Sequence, residues 1–456
     1  MGDTIAALAT SAGVSAIGIV RLSGDTALTV ADSVFNAKSG TKMTAAEDRR
    51  LYYGELTDEA GDTLDLCLCT VSRAPNSYTG ENTAEFFCHG SPVVLSGLLR
   101  LLFANGARQA EAGEFTKRAF LNGKLDLSQA EAVADLIDAE TNAAAKNAAL
   151  QLGGVFRDKI EGIYSRLLEI MAHFYAVIDY PDEDIEEFEL EGYAAAFTGM
   201  EKELARLYAS YDRGLILKEG IPTAIAGRPN VGKSSLLNAL LGYDRAIVTN
   251  IAGTTRDTIE EKAVIGVLLL RLTDTAGIRS TADEIERLGV ERSVKALSGA
   301  RLTLCVFDGS SPISDEDRAV LKTLNPASTA IAVINKSDLP QELDSEELIS
   351  LGLPICRISA LTGEGLDSLE KEIASAFSTS DDVSAGEIIT NARQADAVNR
   401  ARAHVESAGN AVREGFTPDA ALTDIEAALA ALGEITGKTM REDIISTIFE
   451  RFCVGK

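Results

Sequence analysis

Gly227-Arg-Pro-Asn-Val-Gly-Lys-Ser234 fits the pattern Gly-x-x-x-x-Gly-Lys-[Ser/Thr] without a mismatch. A loop of this kind turns successive backbone N–H groups toward phosphate oxygens, at the positive end of the helix that follows. Lys233 adds a point charge for the β and γ phosphates, and the Ser234 hydroxyl can ligate Mg²⁺. The flanks suit the loop: residues 223–226 predict a short buried strand, and Ser235 onward to residue 241 predicts the opening of a helix.

Three more motifs follow in order: Asp274-Thr-Ala-Gly277, Asn335-Lys-Ser-Asp338 and Ser359-Ala360. Asp274 closes an apolar run over 267–272, a strand end suited to holding a Mg²⁺ shell through water, and Gly277 can set its N–H against the γ-phosphate. Asn335-Lys-Ser-Asp338 ends a second buried run, 330–334. A carboxylate at Asp338 accepts the ring N–H and the exocyclic amine of guanine. Adenine offers an acceptor and no amine there, so two charge-assisted bonds would be lost. A site built around such bonds rejects the analogue lacking them strongly. The four motifs together imply guanine-nucleotide binding.

The chain has 456 residues, which is long for one core and implies two or three domains. With 46% hydrophobic and 25% charged residues it has the make-up of a soluble globular protein. A balance of 43 basic against 69 acidic residues gives a formal charge of −26, which argues against a broad nucleic-acid-coating or anionic-membrane-binding surface. A nucleic-acid partner would need a local basic patch or a second protein. Cysteines 67, 69, 88, 305, 356 and 453 show no zinc-ligand spacing, so reduced thiols and a cytoplasmic location are expected. No run approaches a transmembrane length, so no membrane role is expected. The mildly apolar N-terminus, preceded by Asp3 and broken by Gly13 and Gly18, does not read as a signal peptide.

The expected fold class is multidomain, α/β plus α. An N-terminal α+β domain over residues 1–120 has strands at 16–22 and 64–71, turns at Pro75-Asn76 and Thr79-Gly80, and a helix at 92–103. Helical texture begins at Ser128-Gln-Ala-Glu131, read as a capping box, and runs to residue 178 with a weak point at Gly153-Gly154. An acidic break at 180–187 precedes a helix near 193–211. Past residue 385 the helices return near 391–412, 419–432 and 441–449, with Thr417 as N-cap and Pro418 at the first helical position. All four nucleotide motifs lie between these flanks. The simplest organisation is a helical domain (121–215 and 381–456) interrupted by an inserted Ras-like P-loop G domain at 216–380.

Ras-like proteins follow Asp-x-x-Gly with a Gln that orients the attacking water. Here Ile278 stands in that place and has no polar atom to offer. Hydrolysis must recruit other groups. Asn230, with backbone carbonyls of Thr249 and Ile251, could hold a monovalent cation, which neutralises developing charge as an arginine finger does. Thr255 is placed to complete the Mg²⁺ shell begun by Ser234. The cluster Asp283-Glu-Ile-Glu-Arg287 could polarise water through a relay, and it reads equally as a solvated helix start.

Over its whole length the chain resembles the MnmE (TrmE) family of tRNA-modification GTPases. Beyond the nucleotide motifs the likeness rests on Gly18-Ile-Val-Arg-Leu-Ser-Gly24, Pro75-Asn-Ser-Tyr-Thr-Gly-Glu81, Cys88-His-Gly90 and Ala119-Phe-Leu-Asn-Gly-Lys-Leu-Asp-Leu-Ser-Gln-Ala-Glu131. It also rests on Asp179-Tyr-Pro-Asp-Glu183 and the end, Phe452-Cys-Val-Gly-Lys456. The resemblance implies a homodimer formed by the N-terminal domain. It further implies a flavoprotein (FAD) partner, MnmG, forming a heterotetramer, and a tRNA substrate modified at C5 of the wobble uridine with an aminomethyl or carboxymethylaminomethyl group. GTP is the implied substrate for hydrolysis. The implied cofactors are Mg²⁺, K⁺ and a formyl- or methylene-tetrahydrofolate.

Carried over residue by residue, the resemblance assigns GTP contacts to Asn230, Val231, Gly232, Lys233, Ser234 and Ser235, and to Thr249, Asn250, Ile251, Ala252, Gly253, Thr254 and Thr255. Further contacts fall on Asp274, Thr275, Ala276 and Gly277, on Asn335, Lys336, Ser337 and Asp338, and on Ser359, Ala360 and Leu361. Asn230, Thr249, Ile251 and Thr254 would surround K⁺, Ser234 and Thr255 would hold Mg²⁺, and Glu286 would position water. Arg21, Glu81, Lys124 and Lys456 would contact the folate. Cys453 reads either as a nucleophile or as a small thiol packed after Phe452, and the last residues carry no obvious core. Two positions depart from the family pattern: Ser91 follows His89-Gly90 where a second Gly is common, and Asn250 replaces a common Asp. The competing reading is a ribosome-assembly or other RNA-associated regulatory GTPase without folate chemistry. Such proteins usually append a basic RNA-binding domain, and this acidic chain shows no KH-like Gly-x-x-Gly in a basic setting.

Overall fold

The strands and helices follow the hydrophobic periodicity of the chain closely, as the computed structural model shows. It describes residues 3–455 apart from 59, 180–189, 244–259, 274–298, 327, 378–382, 441 and 451. In chain order the first elements are β1 (Thr4–Leu8), β2 (Ser15–Ser23), α1 (Ala27–Val34), β3 (Phe35–Ala37), β4 (Tyr52–Thr57), β5 (Thr63–Ser72) and β6 (Thr83–Gly90). Next come α2 (Pro92–Ala104), β7 (Ala107–Gln109), α3 (Glu114–Leu121), α4 (Leu127–Asp138), α5 (Asn142–Leu152), α6 (Val155–Asp179), α7 (Leu190–Ala209) and α8 (Tyr211–Glu219). Then follow β8 (Ile221–Ala226), α9 (Lys233–Tyr243), β9 (Glu260–Ile265), β10 (Leu268–Thr273), β11 (Leu302–Asp308), α10 (Asp315–Lys322) and β12 (Thr329–Asn335). The last are α11 (Glu346–Ser350), β13 (Ile355–Arg357), α12 (Leu366–Phe377), α13 (Ala392–Arg413), α14 (Pro418–Thr436) and α15 (Glu442–Phe449).

These elements form two compact units, each built from discontinuous segments. One takes Met1–Ala134, Gln151–Ala194 and His404–Lys456, the other Asp135–Leu150 and Ala195–Ala403.

In the first unit a seven-stranded sheet runs in the order β3-β4-β5-β6-β2-β1-β7. Strand β5 shows why a sheet forms here. Cys67, Cys69 and Val71 alternate inward while Leu66 and Leu68 point outward, the period of two that a half-buried strand requires. The inner face meets α1 and α2, whose Ala27, Val30, Leu95, Leu98 and Leu102 recur at helical spacing and are buried. Helix α2 starts as the sequence implies, with Pro92 in its first turn. A second core joins Phe120 of α3 and Leu127 and Ala130 of α4 to Ile445 and Phe449 of α15, with Phe452 beyond it. The rings of Phe449 and Phe452 lie 5.2 Å apart.

Helix α4 corrects one expectation. It begins at Leu127, so Ser128 is inside it and its hydroxyl donates to Asp126 Oδ1 at 2.7 Å. The reciprocal cap belongs to Asp126 and Gln129: the Gln129 N–H donates to Asp126 Oδ1 at 2.8 Å and the Asp126 N–H to Gln129 Oε1 at 3.1 Å. Asp126 and Gln129 hold the same i, i+3 spacing two residues earlier, and a carboxylate accepts the free N–H more strongly than a hydroxyl. Burial pushes the Asp126 carboxyl above the usual carboxylate range despite these donors. The run from 128 to 178 also breaks once more than expected, at residues 139–141. There Thr141 Oγ1 accepts the Ala144 N–H at 3.1 Å and starts α5.

The second unit carries a six-stranded sheet in the order β13-β12-β11-β8-β10-β9, parallel except for the edge strand β9. Its central strands are apolar nearly throughout, as strands covered on both faces must be. From β8 the chain goes first to β9 and β10 on one side, then to β11, β12 and β13 on the other. The reversal puts a crevice at the carboxyl end of β8, the place where open α/β sheets bind ligands.

In the same unit the segment after 382 is tied down by buried polar groups. Asn147 of α5 accepts the Gly386 N–H at 2.8 Å and donates to the Ile388 carbonyl at 3.2 Å. Ser210 accepts the Ile389 N–H at 3.1 Å, and Thr390 donates to Asp135 Oδ2 at 2.6 Å. Lys218, at the end of α8, pairs with the other oxygen of Asp135 at 2.7 Å. Gly214 permits this approach, since a Cβ there would lie 1.8 Å from the Ile389 carbonyl oxygen.

Candidate functional site

The loop between β8 and α9 occupies that crevice. Gly227 takes φ +153°, Asn230 +64° and Gly232 +100°. Both glycines are forced by neighbours: a Cβ on Gly227 would lie 2.5 Å from the Val306 carbonyl oxygen, and one on Gly232 would lie 2.1 Å from Asn335 Nδ2. Val231 is fully buried and anchors the loop, while Ser234 and Ser235 are exposed in the first turn of α9. The Lys233 ammonium donates to the carbonyls of Gly227 and Arg228, each at 2.7 Å. Burial pulls it below the usual lysine range.

Asn335 joins the distant motifs into one surface. Its Nδ2 donates to the Val231 carbonyl at 2.9 Å and its Oδ1 accepts the Ala360 N–H at 2.9 Å. Asp338 is exposed, and its Oδ1 accepts the Ser359 hydroxyl at 2.6 Å. The Ser337 N–H donates to the Ile358 carbonyl at 3.0 Å, and Leu361 is 85% exposed at the open side. The structure therefore brings together the sequence-nominated residues 230–235, 335–338 and 359–361. Thr249 to Thr255, Asp274 to Gly277 and Glu286 lie outside the described residues.

Two supporting ion pairs are not legible in the sequence. Arg228 of the loop donates to Ser311 Oγ at 2.7 Å and to Asp317 Oδ2 at 3.2 Å, and Asp317 also completes the Ser314 cap of α10. Lys336 pairs with Asp308 at 2.6 Å. Burial alone would raise the Asp308 carboxyl, but the Lys336 ammonium and the Ser310 donors outweigh it and hold it below the usual range. Neither pair has a local sequence spacing to betray it.

In the first unit, Arg21, Glu81 and Lys124 all converge on the loop from Pro75 to Glu81. Arg21 lies over the Tyr78 ring at 5.4 Å and the Phe115 ring at 5.7 Å while donating to Glu85 at 2.6 Å. Lys124 donates to the Pro75 carbonyl at 2.9 Å. Glu81 Oε2 accepts the Ser23 hydroxyl at 2.7 Å and Arg118 Nη1 at 3.0 Å. Arg118 in turn meets Glu114 at 2.9 Å and Asp3 at 2.7 Å. Glu114, nearly buried, also pairs with Arg108. The end of the chain runs alongside: Val454 pairs with Ala112, and the Gly113 N–H donates to the Cys453 carbonyl at 3.2 Å. Gly455, at φ +99°, lies against Leu8, whose carbonyl oxygen a Cβ would approach to 2.0 Å. Cys453 is exposed, and Lys456 lies outside the described residues.

Comparison with known proteins matches both parts of the chain. A family model described as the MnmE helical domain covers residues 127–453, and one described as the GTP-binding protein TrmE N-terminus covers 4–124. The chain belongs to the MnmE family of tRNA modification GTPases. An MnmE of Symbiobacterium thermophilum is 44% identical over 100% of this chain and 99% of its own. Those of Thermoanaerobacter pseudethanolicus and Clostridioides difficile are 43% and 42% identical with the same coverage. The fold class fits MnmE as well: an α+β N-terminal part, helices, and a P-loop α/β sheet between helical segments.

Proposed function

We propose that this chain hydrolyses GTP at the Gly227–Ser234 loop to drive modification of the wobble uridine of tRNA at C5. In this reading it works as a cytoplasmic homodimer with an MnmG-like FAD protein. The observation that carries the GTP site is Asn335, whose side chain links the phosphate loop to Ala360 while Ser359 aims Asp338. Ser234 and Thr255 would hold Mg²⁺, and the exposed Ser234 hydroxyl in the first turn of α9 suits that task. Asn230, Thr249, Ile251 and Thr254 would surround K⁺, and Glu286 would position water in place of a Gln. The proposed division of labour is residues 1–120 for folate and dimerisation, 216–380 for GTP, and 121–215 with 381–456 for the helical connection.

The Arg21, Glu81 and Lys124 cluster supports a folate site. A carboxylate whose orientation Arg118 and Ser23 fix can accept the N–H groups of a pterin, and two cations suit a glutamate tail. When bound, a tetrahydrofolate would supply the one-carbon unit. The outer face of the seven-stranded sheet supports dimerisation: Ile17, Tyr53, Leu66 and Leu68 are exposed there, and Tyr53 lies opposite Leu68. All six cysteines are free thiols, in keeping with a reducing compartment. Among the described residues no helix is long and apolar enough to cross a membrane.

GTP turnover is expected to be several-fold faster in K⁺ than in Na⁺, because Ile278 cannot orient water and a bound cation must supply the charge. Equal rates in the two salts, with folded protein, would sink the cation proposal. Asp338→Asn is expected to weaken GTP binding by roughly 1.5–3 kcal/mol and relax the preference for guanine, since it exchanges a charged acceptor for a neutral amide. Calorimetric titration with GTP and ITP checks this, and unchanged GTP affinity would show that another group reads the base. Mass spectrometry of wobble nucleosides from a strain lacking this protein tests the tRNA reading. An unaltered nucleoside profile would favour a regulatory GTPase instead.

A further inference from the structure

Asp308 ends β11 directly opposite Asn335 in the parallel ladder. Its side chain is 11% exposed, and both carboxylate oxygens are in use. Oδ1 accepts the Ser310 N–H at 3.0 Å and the Ser310 hydroxyl at 2.6 Å, and Oδ2 takes the Lys336 ammonium at 2.6 Å. Lys336 stands at φ +67°, a left-handed conformation that non-glycine residues other than Asn and Asp rarely adopt. The loop that contains it is held from both sides. Gln341 Nε2 donates to the Lys336 carbonyl at 2.9 Å, and the Gly309 N–H donates to the Asn335 carbonyl at 2.9 Å.

The pairing solves a problem of charge. Lys336 is the cation nearest in sequence to Asp338, two residues on, and Asp338 is exposed. An ammonium free to swing would compete with guanine for that carboxylate, because a charged donor binds a carboxylate more strongly than a neutral N–H does. A tethered one leaves its four-carbon stem as an apolar surface.

We propose that Asp308 is a positioning residue for guanine recognition: it holds the Lys336 ammonium away from Asp338, leaving that carboxylate to the base. This rests on Asn335–Asp338 being the base reader.

The test is titration of the full-length protein with a fluorescent GDP analogue. Asp308→Asn retains an Oδ1 acceptor for Ser310 but loses the charge that holds Lys336, and is expected to weaken binding about tenfold. Lys336→Met keeps an unbranched stem without the ammonium and is expected to weaken it only a few-fold. The double variant is expected to bind as Lys336→Met alone does, recovering most of the loss. A double variant no better than Asp308→Asn would show that Asp308 serves only the 308–310 turn and would overturn the proposal. Wild-type affinity in Asp308→Asn would overturn it equally. A wild-type chain that does not bind the probe would overturn this inference and the GTP site together, and so separates the two failures.

Discussion

Lys233→Ala is expected to lower affinity for GTP by about two to four orders of magnitude. On the proposed assignment the ammonium would face both the β and γ phosphates, and each charge-assisted bond contributes about 1.5–3 kcal/mol. Without nucleotide the same ammonium only bridges the carbonyls of Gly227 and Arg228, in surroundings whose burial disfavours its charge. Folding should therefore change far less than binding. Paired measurements decide: thermal unfolding of the free protein should shift by a few degrees at most, while equilibrium binding of a GTP analogue collapses. Retained affinity in Lys233→Ala would falsify the assignment of this loop to phosphate.

Deleting Val454-Gly-Lys456 is expected to cut tRNA modification by more than about tenfold while GTP hydrolysis persists, because one full charged contact to a ligand is worth at least that much. The tail lies where such an effect can arise. Val454 pairs with Ala112, next to Gly113 and Glu114, and Glu114 meets Arg118, which holds Glu81. The sequence alone suggests a tail with no structural work. The Val454–Ala112 bridge and the close packing of Gly455 on Leu8 say otherwise, so the deletion should also cost about 1 kcal/mol of stability. Assays of wobble nucleosides and of phosphate release on the same preparation distinguish the possibilities. Normal modification, or parallel loss of both activities, would make the tail structural only.

Much of this is legible in the sequence because periodicity and motif spacing are local facts. The alternation in β5, the proline at the start of α2 and the order of the four nucleotide motifs all lie within short windows. The Thr417 and Pro418 start of α14 was equally plain. The cap of α4 was misplaced because two overlapping i, i+3 pairs, Asp126 with Gln129 and Ser128 with Glu131, satisfy the same pattern, and only packing chooses between them. The roles of Asp308 and Arg228 are not legible in the sequence for a different reason. Their partners, Lys336 and Asp317, lie 28 and 89 residues away, and only the strand order of the sheet brings them together. Arg118 was hidden likewise: its 37-residue separation from Glu81 is closed by the fold alone.

The clasp around residues 386–390 bears on the order in which the molecule can be made. Asn147 and Asp135 have partners that lie 239 and 255 residues downstream. On a ribosome that releases about 5–20 residues per second, those partners emerge many seconds later. Until then the Asn147 amide on α5 lacks the backbone groups that it holds in the fold. These contacts therefore form only after the six-stranded sheet between their two sides has been synthesised. A chain that stops between residues 150 and 385 leaves Asn147 and Asp135 without those partners.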